Sequence, residues 1–387
     1  MARQTTPRRN TTPGASGTPS PPGTPNTPGA PAVPRRATVA DVARVAEVST
    51  ATVSRVMNGN YPVAAATRRR VEDAVRSLGY VVNAQARALA GVSTRTVGIV
   101  VGDLVDPFYA YIARGMEREA TEGGRLCLVC SAQGDPRREL AFVELLHERR
   151  AEAVVVVGGS VPDRDYNAEL ARRAYDLASD GSRLVLCGRP GLGADVPTAS
   201  VEYDNEGGAF AITDHLITQG HRRILYLGGP PRLSTTRDRL AGHRRALELR
   251  GVPHDPRLEQ TGAFARAFGY RRMAELLGTD LDFTAVFAAN DIVAAGAAQA
   301  LEEAGVRVPR DISLVGYDDV PVAHEMRPRL TTVHVPLEEM GRAAVRIAVG
   351  QDDKDDWRET VGRAVRLGTH IVVRDSVAPP RRAAGRS

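Results

Sequence analysis

Several features that would settle a function class are missing or scarce. No run of about 18 apolar residues occurs in the 387-residue chain, which excludes a membrane-spanning helix. Lysine appears once, as Lys354, so no phosphate-cradling loop with its lysine exists. No GxGxxG opens a helix after the first predicted strand, and neither GxSxG nor HExxH is present. The eight histidines show no metal-ligand spacing. Cys127, Cys130 and Cys187 sit inside apolar runs and read as buried thiols in a reducing compartment. Cys127 and Cys130 form a CxxC, but on a predicted strand and without a second pair, so no metal or redox role is assigned. The start, MARQTTPRRN, lacks the apolar centre of a secretory signal. These absences argue against an enzyme and against a metal or cofactor, and they point to a cytoplasmic setting.

The net charge of +5 is unevenly placed. Residues 1–91 carry a net +8 and the rest a net −3, so the basic excess is confined to the N-terminal quarter, as phosphate contact would require. Residues 1–36 hold nine prolines and almost no large apolar side chain. Such a segment cannot bury enough surface to offset its ordering entropy and is expected to be disordered. It reads as a solvated tail or, more sharply, as a weak DNA arm, with Arg35 and Arg36 at its C-terminal end.

Residues 38–58 read TVADVARVAEVSTATVSRVMN. Thr38 with Asp41 makes a capping box for a first helix, whose apolar side is Val42, Val45 and Ala46. Glu47 and Val48 form a turn. Ser49 caps a second helix that buries Val53 and Val56 and leaves Thr50, Ala51, Thr52, Ser54 and Arg55 outward. Small hydroxylated residues at a helix start, with an arginine a turn later, suit the DNA major groove. A third helix runs from Thr67 to Leu78 and ends at Gly79. Residues Asn83 to Ala90 form a helical stretch too short to stand alone in water.

DVA, VST, TVSRVMN, TRRRVEDAVRSLGY and NAQARALAG closely resemble, in that order, the DNA-binding headpiece and hinge of the lactose-repressor (LacI/GalR) family of bacterial transcription regulators. The resemblance implies DNA contact by Ser49, Thr50, Ala51, Thr52, Ser54, Arg55, Asn58, Tyr61, Asn83 and Leu89. Leu89 matches a leucine wedged into the minor groove by a hinge helix paired with its dimer mate. Glu47 departs from the family's turn glycine and Ala64 from its helix-capping serine; each costs ~1 kcal/mol.

From Thr96 apolar strands alternate with helices: TVGIVV, RLCLVC, AVVVVGG, RLVLCG, ASVEYDN, RILYLGG, TAVFAAN, ISLVGYD. This predicts an α/β core of two doubly wound parallel sheets, with ligand held at the carboxyl ends of the strands. Phe108, Tyr109, Arg239, Asn290 and Asp318 fall at such ends or in adjoining loops. An arginine, an amide and a carboxylate beside aromatic faces suit a polyhydroxylated ligand. Read singly, Arg239 could be a surface helix residue and Asp318 the cap of a turn. The resemblance, which extends to periplasmic sugar-binding proteins, implies effector contact by Arg239, Asn290 and Asp318, and places Phe264 near a stacking aromatic. Gly188 stands where members often carry a ligand-binding aspartate.

The expected organisation is a tail (1–36), a helix-turn-helix headpiece (37–82), a hinge helix (83–92), a two-lobed periplasmic-binding-protein-like core (93–376) and a flexible tail (377–387). The first lobe spans about 95–200 and 322–350, the second about 201–321 and 351–376. The expected function is a homodimeric, cytoplasmic and nucleoid-associated repressor that binds a near-palindromic operator and a sugar effector, with no membrane partner. The rival is a solute-binding receptor without DNA regulation.

Overall fold

In a computed structural model that describes residues 37–58, 62–80, 95–350 and 361–381, Thr38 opens helix α1 (Val39–Val45). Its hydroxyl accepts from Asp41 N while the Asp41 carboxylate accepts from Thr38 N at 2.9 Å, so the capping box forms as predicted. Helix α2 (Thr50–Asn58) begins after Ser49, whose Oγ accepts from Thr52 N at 3.1 Å. Helix α3 (Ala65–Leu78) starts at Ala64 with no side-chain cap and ends at Gly79 in the left-handed region. Val42, Ala43, Ala46, Val53, Val56, Val71 and Ala74 make the core of this small unit. Val45 is a correction: expected on the apolar side, it is 45% exposed, and Ala43 is buried in its place. Glu47 does adopt a left-handed φ of 51° in the turn.

The described residues divide into two compact units, residues 37–80 and residues 95–381. The second unit contains two parallel sheets. The first sheet has the order β11-β5-β4-β3-β1-β2, built from β1 (Thr96–Val101), β2 (Leu126–Ser131), β3 (Ala153–Val157), β4 (Arg183–Cys187), β5 (Thr198–Tyr203) and β11 (Ala364–Leu367). The second has the order β7-β6-β8-β9, built from β6 (Ile224–Leu227), β7 (Glu259–Gln260), β8 (Ala285–Ala288) and β9 (Ser313–Val315). Both place the lobe's second strand outside its first and then continue on the other side, so each has a topological switch point.

Except at the edge strand β2, the continuous apolar strands arise because both faces of each sheet are covered. In the first lobe Val97, Ile99 and Val101 face one cluster, with α4 (Pro107–Glu122) and α12 (Leu337–Val349). Val100, Val154 and Val156 face another, with α5 (Pro136–Glu148) and α6 (Arg164–Ser179). In the second lobe α7 (Asn205–Thr218) and α8 (Ser234–Leu249) cover one face, while α9 (Arg266–Leu277) and α10 (Asp291–Glu303) cover the other. Helices α4 and α12 cross at paired glycines. A Cβ on Gly115 would run into the Glu338 carbonyl, and one on Gly341 into the Ile112 carbonyl.

Four expectations need correction. The segment β11 pairs in parallel with β5 and so completes the first lobe, not the second. Helix α11 (Pro321–Glu325) and Leu330 belong to the second lobe, since Ala323 and Leu330 enter its core cluster; the change of lobe comes at β10 (Thr332–His334). β10 pairs antiparallel with β12 (His370–Val372) in a separate ribbon. The tail is not free from residue 377: Ala378 N donates to Ser313 Oγ at 3.0 Å, and Arg381 pairs with Asp311 at 2.9 Å. Cys127 and Cys130 are half-buried rather than buried, and they pack against different clusters on opposite faces of β2. No helix among the described residues is long and apolar enough to cross a membrane.

Candidate functional site

Two regions concentrate the residues singled out from the sequence. In the first unit Val53 and Val56 anchor α2, and Ser49, Thr50, Ala51, Ser54 and Arg55 are exposed, with Thr52 half-buried. A helix whose start is capped by Ser49 offers its first-turn amides and a polar face outward, as groove entry needs. Tyr61, Asn83 and Leu89 lie outside the described residues, as does the side chain of Asn58.

The second region is a cleft at the carboxyl ends of both sheets. Its lining comes from Asp106, Phe108 and Tyr109 after β1, Gly159 after β3, Tyr203 at the end of β5, Leu233 and Thr235 around the start of α8, Arg239 within it, Phe264, Asn290 after β8, and Asp318 after β9. All six side chains expected from the sequence therefore meet in one pocket. The residues not foreseen are Asp106, Gly159, Tyr203, Leu233 and Thr235. The Asp-Pro pair at 106–107 was the available signal for Asp106, because Asp before Pro marks a helix start.

Arg239 organises the pocket. It is 1% exposed, on a helix whose other face packs against α7. Its Nε donates to Asn205 Oδ1 at 2.9 Å, and its Nη2 to Tyr203 Oη at 3.1 Å and to Asp318 Oδ1 at 2.8 Å. Its Nη1 donates to the Ala289 carbonyl. The guanidinium carbon lies 3.7 Å from the Tyr317 ring centre and 5.8 Å from that of Phe264. Burial pushes the Asp318 carboxyl upward and Arg239 opposes that shift. The guanidinium keeps its proton, so its donation to Asp318 is a charge-assisted hydrogen bond.

Asp318 and Asp319 both sit at left-handed φ, 100° and 59°, a conformation that costs free energy for residues with a Cβ. Local bonds hold them there. Asp318 N donates to Val333 O at 2.9 Å, and Asp319 accepts from His334 Nδ1 at 3.0 Å and from Arg374 Nη2 at 2.6 Å. Buried Asp291 accepts from Val320 N at 2.9 Å and from Thr332 Oγ1 at 2.6 Å. The pocket carboxylate is thus tied directly to β10, where the chain changes lobe. Asn290 caps α10, its Oδ1 accepting from Val293 N at 2.9 Å.

Asp106 caps α4 by accepting from Phe108 N at 3.0 Å. Burial, reinforced by the charge of Asp318 and partly offset by that hydrogen bond, pushes its carboxyl up to about 6. Phe108 meets Tyr109 edge-on at 5.2 Å and Tyr203 at 6.2 Å. Tyr109 is accommodated because Gly158, at φ 109°, has no Cβ to strike its ring. Next to the lining residues Gly159, Leu233 and Thr235, Ser160 and Ser234 join the lobes: Ser160 N donates to Ser234 Oγ at 3.0 Å and Ser234 N to Ser160 O at 2.8 Å. The space in the cleft is about 40 Å³. That admits a few waters, whereas small-molecule sites span about 300–1,000 Å³. A ligand must therefore widen the cleft.

Comparison with known proteins agrees with this architecture. Residues 38–83 match the bacterial regulatory proteins of the lacI family, and residues 213–377 match a periplasmic binding protein-like domain. The chain is 40% identical over 335 residues to the HTH-type transcriptional regulator GalR of Escherichia coli strain K12, covering 86% of this chain and 93% of that protein. It is 36% identical over 344 residues to the HTH-type transcriptional regulator CelR of Thermobifida fusca, covering 85% and 95%. Among solved structures, a transcriptional regulator CelR–cellobiose complex superposes with a TM-score of 0.64 at 34% identity, covering 88% of this chain and 100% of that one. A lac repressor dimer bound to operator and the anti-inducer ONPF does so with a TM-score of 0.73 at 26% identity, covering 89% and 100%.

Proposed function

Because the chain belongs to the lacI family of bacterial regulatory proteins, and is thus a DNA-binding transcriptional regulator rather than an enzyme, we propose that it is a repressor released from its operator by a sugar. The observation that carries this reading is the convergence of Arg239, Asn290, Asp318 and four aromatic rings, drawn from both lobes, on one cleft. Hydroxyl pairs bind bidentately to such groups, and sugar ring faces stack on aromatics. The relatives' names fit: one solved structure carries cellobiose, and another is a dimer on operator DNA.

Coupling arises from connectivity. A ligand that widens the cleft loads Asp318, and Asp318 is hydrogen-bonded through its backbone to Val333 in the crossover strand. The lobe angle then changes, and with it the spacing of the two hinge segments, residues 83–92, in a dimer. A hinge this short is helical only when its mate supports it. Separation melts it, withdraws Leu89 from the minor groove and lowers affinity; a coupling of ~1–3 kcal/mol is a 5–150-fold change. Base readout falls to Thr50, Ala51 and Arg55. Ser49, Thr52, Ser54, Asn58, Tyr61 and Asn83 complete the DNA contacts. Dimerisation through the core is supported by β2, an edge strand whose Leu126, Leu128 and Val129 are 62%, 39% and 40% exposed. Parallel edges of this kind are normally covered.

The test is a footprint upstream of the gene and its neighbours, followed by a screen of the substrates of those operons for operator release. A protected near-palindrome that a sugar releases supports the reading. Operator binding that no sugar alters overturns the effector half of it, and sedimentation of the full chain as a monomer overturns the dimer.

A further inference from the structure

The charge in the cleft bears on which sugars can enter it. Four of the five N–H groups of Arg239 are already committed, to Asn205, Ala289, Tyr203 and Asp318. Its positive charge is matched by Asp318, with side chains only 2% and 4% exposed. The other charged residue lining the space is Asp106. It comes from the opposite lobe, and its electrostatic neighbours are Asp318, Asp103 and Arg239. The lining therefore presents a paired cation and a second carboxylate, with an excess of acceptor oxygens. A ligand that brings its own negative charge would meet two carboxylates and an arginine whose charge is already engaged.

We infer that this cleft selects uncharged or amino-substituted sugars and rejects uronates and sugar phosphates, with Asp106 deciding against the anion from the first lobe. The inference rests on the sugar reading above and narrows it. A hydroxyl or ammonium donates to a carboxylate, and in a partly buried site each such bond is stronger than in water. A carboxylate or phosphate can only accept, and it repels both aspartates. The same surroundings that make Asp106 costly to ionise make it costly to place another anion beside it.

The experiment is calorimetric titration of the full chain at pH 7.5 with matched sets: D-galactose, D-galactosamine, D-galacturonate and galactose 6-phosphate; the corresponding glucose set; and cellobiose with cellobiouronate. In any set that binds, the neutral or amino member should bind at least about tenfold more tightly than its anionic counterpart. Asp106→Asn keeps an acceptable helix cap, so its melting curve serves as a folding control. It should shrink that ratio severalfold. An anionic member that binds as tightly as its neutral parent overturns the inference while leaving the sugar reading intact. So does a ratio that Asp106→Asn leaves unchanged in a folded protein. If no member binds, the sugar reading falls and this inference falls with it.

Discussion

Arg239 and Asp318 meet at 2.8 Å in the inter-lobe cleft, with side chains 2% and 4% exposed, although 79 residues separate them in the chain. The pair is a structural bond and, on the proposed reading, part of the ligand-binding cleft. Removing one partner of a buried ion pair leaves the other uncompensated and costs ~3–5 kcal/mol. Asp318→Ala should therefore destabilise the core by roughly that amount in urea unfolding, as well as abolishing sugar response. The double change Arg239→Met with Asp318→Leu should recover most of the stability and none of the response. If Asp318→Ala leaves urea stability unchanged, the pair contributes nothing to the fold.

Asp106 predicts a pH dependence. Its carboxyl is raised, chiefly by burial, from an ordinary 3.8 to about 6. A raised carboxyl stabilises the folded chain while protonated. That contribution is complete below about 3.8 and is lost as pH rises through about 6. Asp106→Asn should hence gain on the native chain between about pH 4 and 6.5 and then level off. The gain is on the order of 1 kcal/mol once partial exposure is allowed for. Melting temperatures of both proteins across that range check it; a difference that falls with rising pH would contradict the burial effect.

Arg55 is exposed on α2, one turn past the capped start. Arg55→Ala should cost ~1–3 kcal/mol on the operator and far less on scrambled DNA. Anisotropy titrations on both duplexes at several salt concentrations separate the cases. Equal losses would make Arg55 a phosphate contact.

Two positions in the headpiece are improvable. Glu47 holds φ 51° in the turn, and its ion pair with Arg70, at 4.0 Å, is exposed and weak. Ala64 begins α3 without a side-chain cap. Glu47→Gly should gain ~0.5–1 kcal/mol and Ala64→Ser ~1 kcal/mol. Slower amide exchange in α1–α3 of the full chain would register both, and unchanged exchange would count against both.

What the sequence by itself determined is what short-range chemistry encodes. Thr38 with Asp41, Ser49 and Gly79 marked helix ends because caps act over three or four residues. The runs from TVGIVV to ISLVGYD marked parallel strands because covering both faces demands unbroken apolar sequence, although RLCLVC became the exposed edge strand β2. Arg239, Asn290, Asp318 and the aromatics were legible because strand ends carry sites in such sheets, and because their motifs resemble a known family's. Tertiary structure alone decided the rest. It chose which sheet β11 joins, since a four-residue strand gains its partner only from pairing across 164 residues. It exposed Val45 and buried Ala43, because the packing of three helices, not the period of one, sets which face is covered. It brought Asp106 beside Asp318 across the cleft. No local pattern announces a charge that acts through space between chain segments more than 200 residues apart.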